Sequence, residues 1–81
     1  MFEFKGVQYD TSWESKDTRH GGPFDRGSAD SYYGRPTNPH FYIGATGTSD
    51  FVGILDMSEK DIQAYYAGYA YNEEKGDKKE W

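Results

Sequence analysis

The longest apolar run in this sequence is the short stretch FVGIL at 51–55. A core has to be assembled from dispersed side chains, and these are largely rings: eight Tyr, five Phe and two Trp among 81 residues, 19% aromatic within an apolar fraction of 35%. A Tyr buries a large flat body while its hydroxyl still needs a partner or water. A chain this short hides only about 60% of its unfolded surface. The expected core is therefore small and ring-rich, with several rings left at its rim. No cysteine is present, so neither a disulfide nor a thiolate metal site can staple the fold. That absence fits a reducing cytoplasm, the localisation expected here.

The charge balance, nine Lys and Arg against fourteen Asp and Glu, is −5. Such a surface repels phosphates, so direct nucleic-acid binding is not expected. Acidic and basic residues are interleaved, which reads as a solvated surface and not as a carboxylate imitation of a DNA backbone. No segment is apolar enough to span a membrane, and no signal peptide or lipidation motif is readable.

Residues 1–76 are expected to form one domain, with 77–81, DKKEW, as a charged tail. At the start, Phe2 and Phe4 alternate with Glu3 and Lys5, and Val7 and Tyr9 with Gln8 and Asp10. Period two about Lys5-Gly6 predicts a hairpin in which Gly6 takes a positive φ. Residues 14–23 read as a loop. DRGSADSYYGRP then reads as a short helix, with Asp25 or Ser28 as cap, Gly34 and Pro36 as stop, and Tyr33 as anchor. PTNP is an extended link. HFYIG and DFVGIL predict a second hairpin with a loop of about four or five residues. Ser58 before Glu59 and Asp61 caps a C-terminal helix on which Ile62, Tyr65, Tyr66 and Tyr69 recur, ended by Lys75 and Gly76. Gly68 inside that helix costs about 1 kcal/mol against Ala, which predicts another element packed closely on it. SYYGR and AYYAGY share a Tyr pair before a Gly, and the same local solution is expected in both. The fold class is α+β: a small antiparallel sheet of two hairpins, one short helix, and a C-terminal helix packed on the sheet.

His20 and His40 are the only imidazoles, with Ser28, Asp25 and Asp30 nearby in sequence. No nucleophile elbow accompanies them, and capping accounts for Ser28 and Asp25, so no catalytic set is assigned. There is no His-x-x-x-His and no Asp-rich calcium loop, so no metal or cofactor is expected either. GGPFDRG has glycines and Arg26 but lacks the Gly-Lys-Ser/Thr of a phosphate loop. Arg26 and Arg35 are expected to pair with Asp25 and Asp30, and His40 to open a strand.

The run GGPFDRGSADSYYGRPTNPHFY, followed by AYYAGYAYNEEKGDKKEW, resembles a group of small phage and prophage proteins. They share an Asp-Arg-Gly…Tyr-Tyr-Gly-Arg…Pro-His block and a C-terminal Tyr-x-x-Gly-Tyr helix, and the likeness covers roughly residues 20–81. That group is largely without assigned function, so the resemblance implies a phage origin and little chemistry. The Tyr-x-x-Gly-Tyr helix is also distantly similar to ribosome modulation factor, but that family is strongly basic and this chain is acidic.

Surplus rings and no assembled catalytic set lead to a functional expectation. The chain is read as a non-enzymatic phage accessory protein that binds and modulates a host protein of the defence, transcription or replication machinery. Tyr, Trp and Arg dominate binding hot spots, so Tyr32, Tyr33, Arg35, Tyr66, Tyr69 and Tyr71 are the expected protein contacts, with Tyr71 outward or at a seam. A homodimer is another arrangement that an exposed ring cluster would form. The alternative is a small-ligand or nucleotide-binding module in which Arg26, Arg35 and His40 contact an anion.

Overall fold

The structure, a computed structural model, describes residues 2–11, 21–43 and 51–76. Trp13, His20, most of the first expected loop, residues 44–50 and the tail 77–81 lie outside the described residues.

β1 (Phe2–Phe4) and β2 (Val7–Tyr9) form the first hairpin, in the register Phe2 to Tyr9 and Phe4 to Val7. Its two-residue turn places Lys5 at φ 50° and Gly6 at φ 82°. Two successive positive φ values are the turn whose twist matches that of paired strands. Tyr9 is buried while Val7 at the turn end is exposed.

The first helix, α1 (Pro23–Tyr32), starts earlier than expected. Gly22 stands at the cap position with no side-chain cap, and Pro23 occupies the first turn, where its missing N–H is no loss. Asp25 is thus not the cap. From within the first turn its carboxylate accepts from the Gly21 N–H at 2.9 Å, and Arg26 donates to it at 2.9 Å. Ser28 is a half-buried helix residue and not a cap either. At the other end the expected stop is present. Gly34 sits at φ 70°, its N–H donates to the Ser31 carbonyl at 3.0 Å, and the Arg35 N–H donates to the Asp30 carbonyl at 2.8 Å. This paired closure satisfies the last carbonyls of the helix. The anchor is Phe24, almost wholly buried, because Tyr33 lies exposed past the helix end.

β3 (His40–Tyr42) and β4 (Phe51–Gly53) pair antiparallel, with His40 opposite Gly53 and Tyr42 opposite Phe51. Both strands end short of the expected runs, since Ile43 is past β3 and Ile54 opens a 3₁₀ turn, and the expected loop falls in 44–50, outside the described residues. The Tyr42 N–H donates to the Gly21 carbonyl at 2.7 Å and ties β3 to the segment entering α1. A single 3₁₀ turn, Ile54–Asp56, leads to α2 (Glu59–Lys75). The α2 ends follow the sequence reading. Ser58 Oγ accepts from the Asp61 N–H at 3.2 Å, the Asp61 carboxylate accepts from the Ser58 N–H at 3.4 Å, and Gly76 closes the helix at φ 74°.

These elements make the expected α+β fold, but the two hairpins remain separate two-stranded sheets. α2 packs chiefly on α1, with β1 on its flank and β3 beside α1. Strands of three residues offer too little face to seat a helix. Two glycines offer something better. A Cβ placed on Gly68 would lie 1.9 Å from the Phe24 carbonyl oxygen, and one on Gly27 would lie 1.9 Å from that of Tyr65. The helices cross backbone to backbone, as the glycine in α2 implied. The shared Tyr pair ahead of a Gly does not mark one solution, however. Gly34 has nothing within 4 Å of its virtual Cβ and is needed for its positive φ alone.

The core is ring-rich as expected: Tyr9, Phe24 and Ala67, with Phe2, Phe4, Ala64 and Tyr71 packed on them. Tyr71 fills a seam, its ring centroid 5.2 Å from Phe2 and 5.7 Å from Phe24. No helix among the described residues is long and apolar enough to cross a membrane.

Candidate functional site

Two places on the molecule gather side chains with chemistry. The first lies where α1 ends and β3 begins. Asp30, in the last turn of α1, is 4% exposed. It accepts the hydroxyl proton of the fully buried Tyr65 from α2, and that hydroxyl accepts in turn from the Asn38 N–H at 2.9 Å. The Arg35 guanidinium stands 3.6 Å from the other Asp30 oxygen and 4.9 Å over the Tyr33 ring. His40 Nδ1 lies 2.7 Å from the Asn38 carbonyl and 3.9 Å from Asp30. A carbonyl only accepts, so Nδ1 carries a proton. The ring stacks on Phe51 at 5.5 Å. Asp30, Arg35, Pro36, Asn38 and His40 line a hollow of about 260 Å³.

Burial first, and the hydrogen bond to Asp30 second, hold the Tyr65 phenol well above the usual Tyr range. The phenol therefore stays protonated and donates. Beside this cluster, Ser31 donates to Glu73 and accepts from Asn72 Nδ2 at 3.1 Å. That hydroxyl serves the helix crossing. Among the described residues no group of three or more His, Asp or Glu is arranged to hold a metal ion.

Of the three residues expected to grip an anion, the fold brings Arg35 and His40 to one hollow and leaves Arg26 on Asp25. The expected ion pairs, Arg26 with Asp25 and Arg35 with Asp30, are both present. Asp30 already occupies the place between Arg35 and His40 that an anion would take. An incoming phosphate would meet that carboxylate at close range, which disfavours it.

The second place is the outer face of α2. Glu59, Ile62, Gln63 and Tyr66, spaced i, i+3, i+4, i+7, line one hollow of about 250 Å³. Tyr66, Tyr69, Ala70 and Glu73 repeat the spacing along a second of about 470 Å³. Phe4 and Lys5 of the first hairpin border both. The two hollows form one groove divided by Tyr66, which is 37% exposed. Lys5 Nζ lies 5.6 Å over the Phe4 ring, so the wall is part apolar and part cationic.

The six expected protein contacts thus divide. Tyr66 and Tyr69 lie in the α2 groove. Tyr32 and Tyr33, edge to face at 5.1 Å, sit with Arg35 at the end of α1. The Tyr69 hydroxyl donates to the Arg35 carbonyl at 2.7 Å and joins the two groups. Tyr71 belongs to the core seam. Sequence reasoning missed, among others, Phe4, Lys5 and Gln63 in the groove and Asn38 and Tyr65 beside Asp30. The spacing of Gln63 on α2 was visible, whereas the hairpin leaning on that helix had no local signal. Compared with protein families, curated proteins and solved structures, the chain matches none of them, and its function has to be reasoned from these two places.

Proposed function

We propose that this chain is a non-enzymatic binding protein whose target is another protein, held in the groove that Tyr66 divides. The supporting observation is the groove itself: an aromatic and aliphatic floor on an acidic body, with Tyr66 and Tyr69 open to a partner. Tyr presents large contact area at low entropic cost, and such rings dominate binding energetics. The resemblance to small phage and prophage proteins expected from the sequence directs the proposal to a host protein, with defence, transcription or replication machinery as target classes, met in the host cytoplasm. Tagged chain is incubated with host lysate beside its Tyr66→Ala variant, and a retained protein is purified and its affinity measured for both. A direct complex weakened at least tenfold by the variant, with its melting temperature nearly unchanged, supports the reading. Equal retention by both forms would sink it.

The alternative is a small-ligand or nucleotide-binding module using Arg26, Arg35 and His40. It has less support, because Arg26 stays on Asp25 and the Asp30 carboxylate stands between Arg35 and His40. A rise in melting temperature with a nucleotide would restore it.

A further inference from the structure

We infer that the partner seated in the α2 groove is an amphipathic helix with basic residues at both ends of its apolar stripe. This rests on the protein-binding reading above and adds the shape and charge of the occupant. The groove follows α2 from Glu59 to Glu73, about 21 Å at 1.5 Å per residue. Its floor is Ile62, Tyr69 and Ala70 on either side of Tyr66, and each end carries a carboxylate, that of Glu73 also accepting from Ser31. Among the described residues the cation lining the groove is Lys5, which stands at the middle with Phe4, since it borders both hollows.

The backbone of α2 is hydrogen-bonded within the helix and presents no edge to which a strand could add. An extended segment laid on this floor would leave its own N–H and C=O groups against apolar side chains. A helix satisfies them internally, and its i, i+3, i+4, i+7 ridge meets the same spacing on α2. A second copy of this chain fits poorly. Parallel pairing of two α2 faces sets Glu59 against Glu59, and antiparallel pairing about Tyr66 sets Glu59 against Glu73. Either way carboxylate meets carboxylate, which is destabilising. Lys or Arg at those two positions of a partner answers both, and the net charge of −5 steers a basic segment inward.

The test uses the full chain and two synthetic stapled helices with the same Leu stripe. One carries Lys at both ends of the stripe, the other Glu, and binding is read by fluorescence anisotropy. The Lys-ended helix is expected to bind about tenfold more tightly at low salt, as two exposed ion pairs allow, and the gap should close at high salt. Glu59→Gln should cut the preference to roughly threefold, the share of one such pair, while Tyr66→Ala should weaken both helices alike. Circular dichroism confirms that each variant is folded. Equal or tighter binding of the Glu-ended helix overturns the inference and leaves the groove standing. Binding of neither helix removes both the inference and the groove. A dimer in sedimentation that Tyr66→Ala dissociates would make a second copy the occupant.

Discussion

The crossing of α1 and α2 and the second hairpin use their side chains in opposite ways. At the crossing the enclosed residues include Ser31 and Asn72, 0% and 4% exposed, beside Asp30. On the second hairpin and the 3₁₀ turn after it, Ile43 and Leu55 stand 63% and 96% exposed. Hydropathy alone would exchange these sets. The difference is whether a second backbone closes over the element. Gly27 and Gly68 bring two helices into contact, and whatever lies beside them is covered, polar or not. The polar groups survive burial because they satisfy one another: Tyr65 with Asp30, Ser31 with Glu73, Asn72 with Ser31. Among the described residues no third strand joins β3 and β4, and Ile43 and Phe51 stand exposed there.

Substitution at the crossing should give the largest effect. Gly68→Ala sets a methyl 1.9 Å from a carbonyl oxygen that belongs to backbone and cannot swing away. A loss of at least about 3 kcal/mol is expected, at the top of the range for overpacked cores. Urea denaturation followed by circular dichroism would read it. A variant as stable as the parent would show that the helices do not cross at these glycines.

Next is the polar cluster. Tyr65→Phe removes a donor to Asp30 and an acceptor for the Asn38 N–H, and a cost of about 1–3 kcal/mol follows from leaving buried partners unmade. It should also change the alkaline limb of the stability curve. The folded protein holds the Tyr65 proton more tightly than the unfolded chain does. The contribution is therefore complete below about pH 10, the ordinary Tyr value, and declines as the pH rises above it. Stability from pH 8 to 11 should fall less steeply in the Phe variant, and identical slopes would remove Tyr65 as the source.

Gly34→Ala separates the two glycine roles. There is room for the methyl, but φ stays at 70°, so the penalty is that of a left-handed Ala, about 1 kcal/mol. A cost equal to that of Gly68→Ala would collapse the distinction between closing a helix and letting one pass. Leu55→Ser should move stability by no more than about 0.5 kcal/mol, because so exposed a side chain has little burial to lose. A larger loss in a thermal melt would mean that this face is covered in solution.

Local signals made much of the fold legible. Lys5-Gly6 announced a hairpin turn, Ser58 and Asp61 a capping box, and Gly34 and Gly76 the ends of helices, because each is decided within a few residues by backbone sterics or a nearby hydrogen bond. The start of α1 was misplaced for a related reason. Asp25 has the chemistry of a cap, yet Pro23 with its preset φ begins the helix three residues sooner than an Asp25 cap would. The candidate sites were half legible. Tyr66 and Tyr69 share a helical face by spacing alone, and the pairing of Arg35 with Asp30 follows from their closeness in sequence. Phe4 and Lys5 reach the groove from the far end of the chain.

Composition and local sequence determined a small ring-rich core, the caps and turns, and the presence of two helices and two hairpins, since these depend on short-range geometry and on what a chain with few aliphatics can bury. Tertiary structure alone decided that α2 lies on α1 and not on a sheet, that Arg26 stays apart from Arg35 and His40, and which tyrosines face out. Those outcomes turn on contacts between segments distant in sequence: Gly27 lies against the Tyr65 backbone and Gly68 against that of Phe24, and these two close approaches set the rotation of α2 and so the face that it leaves open.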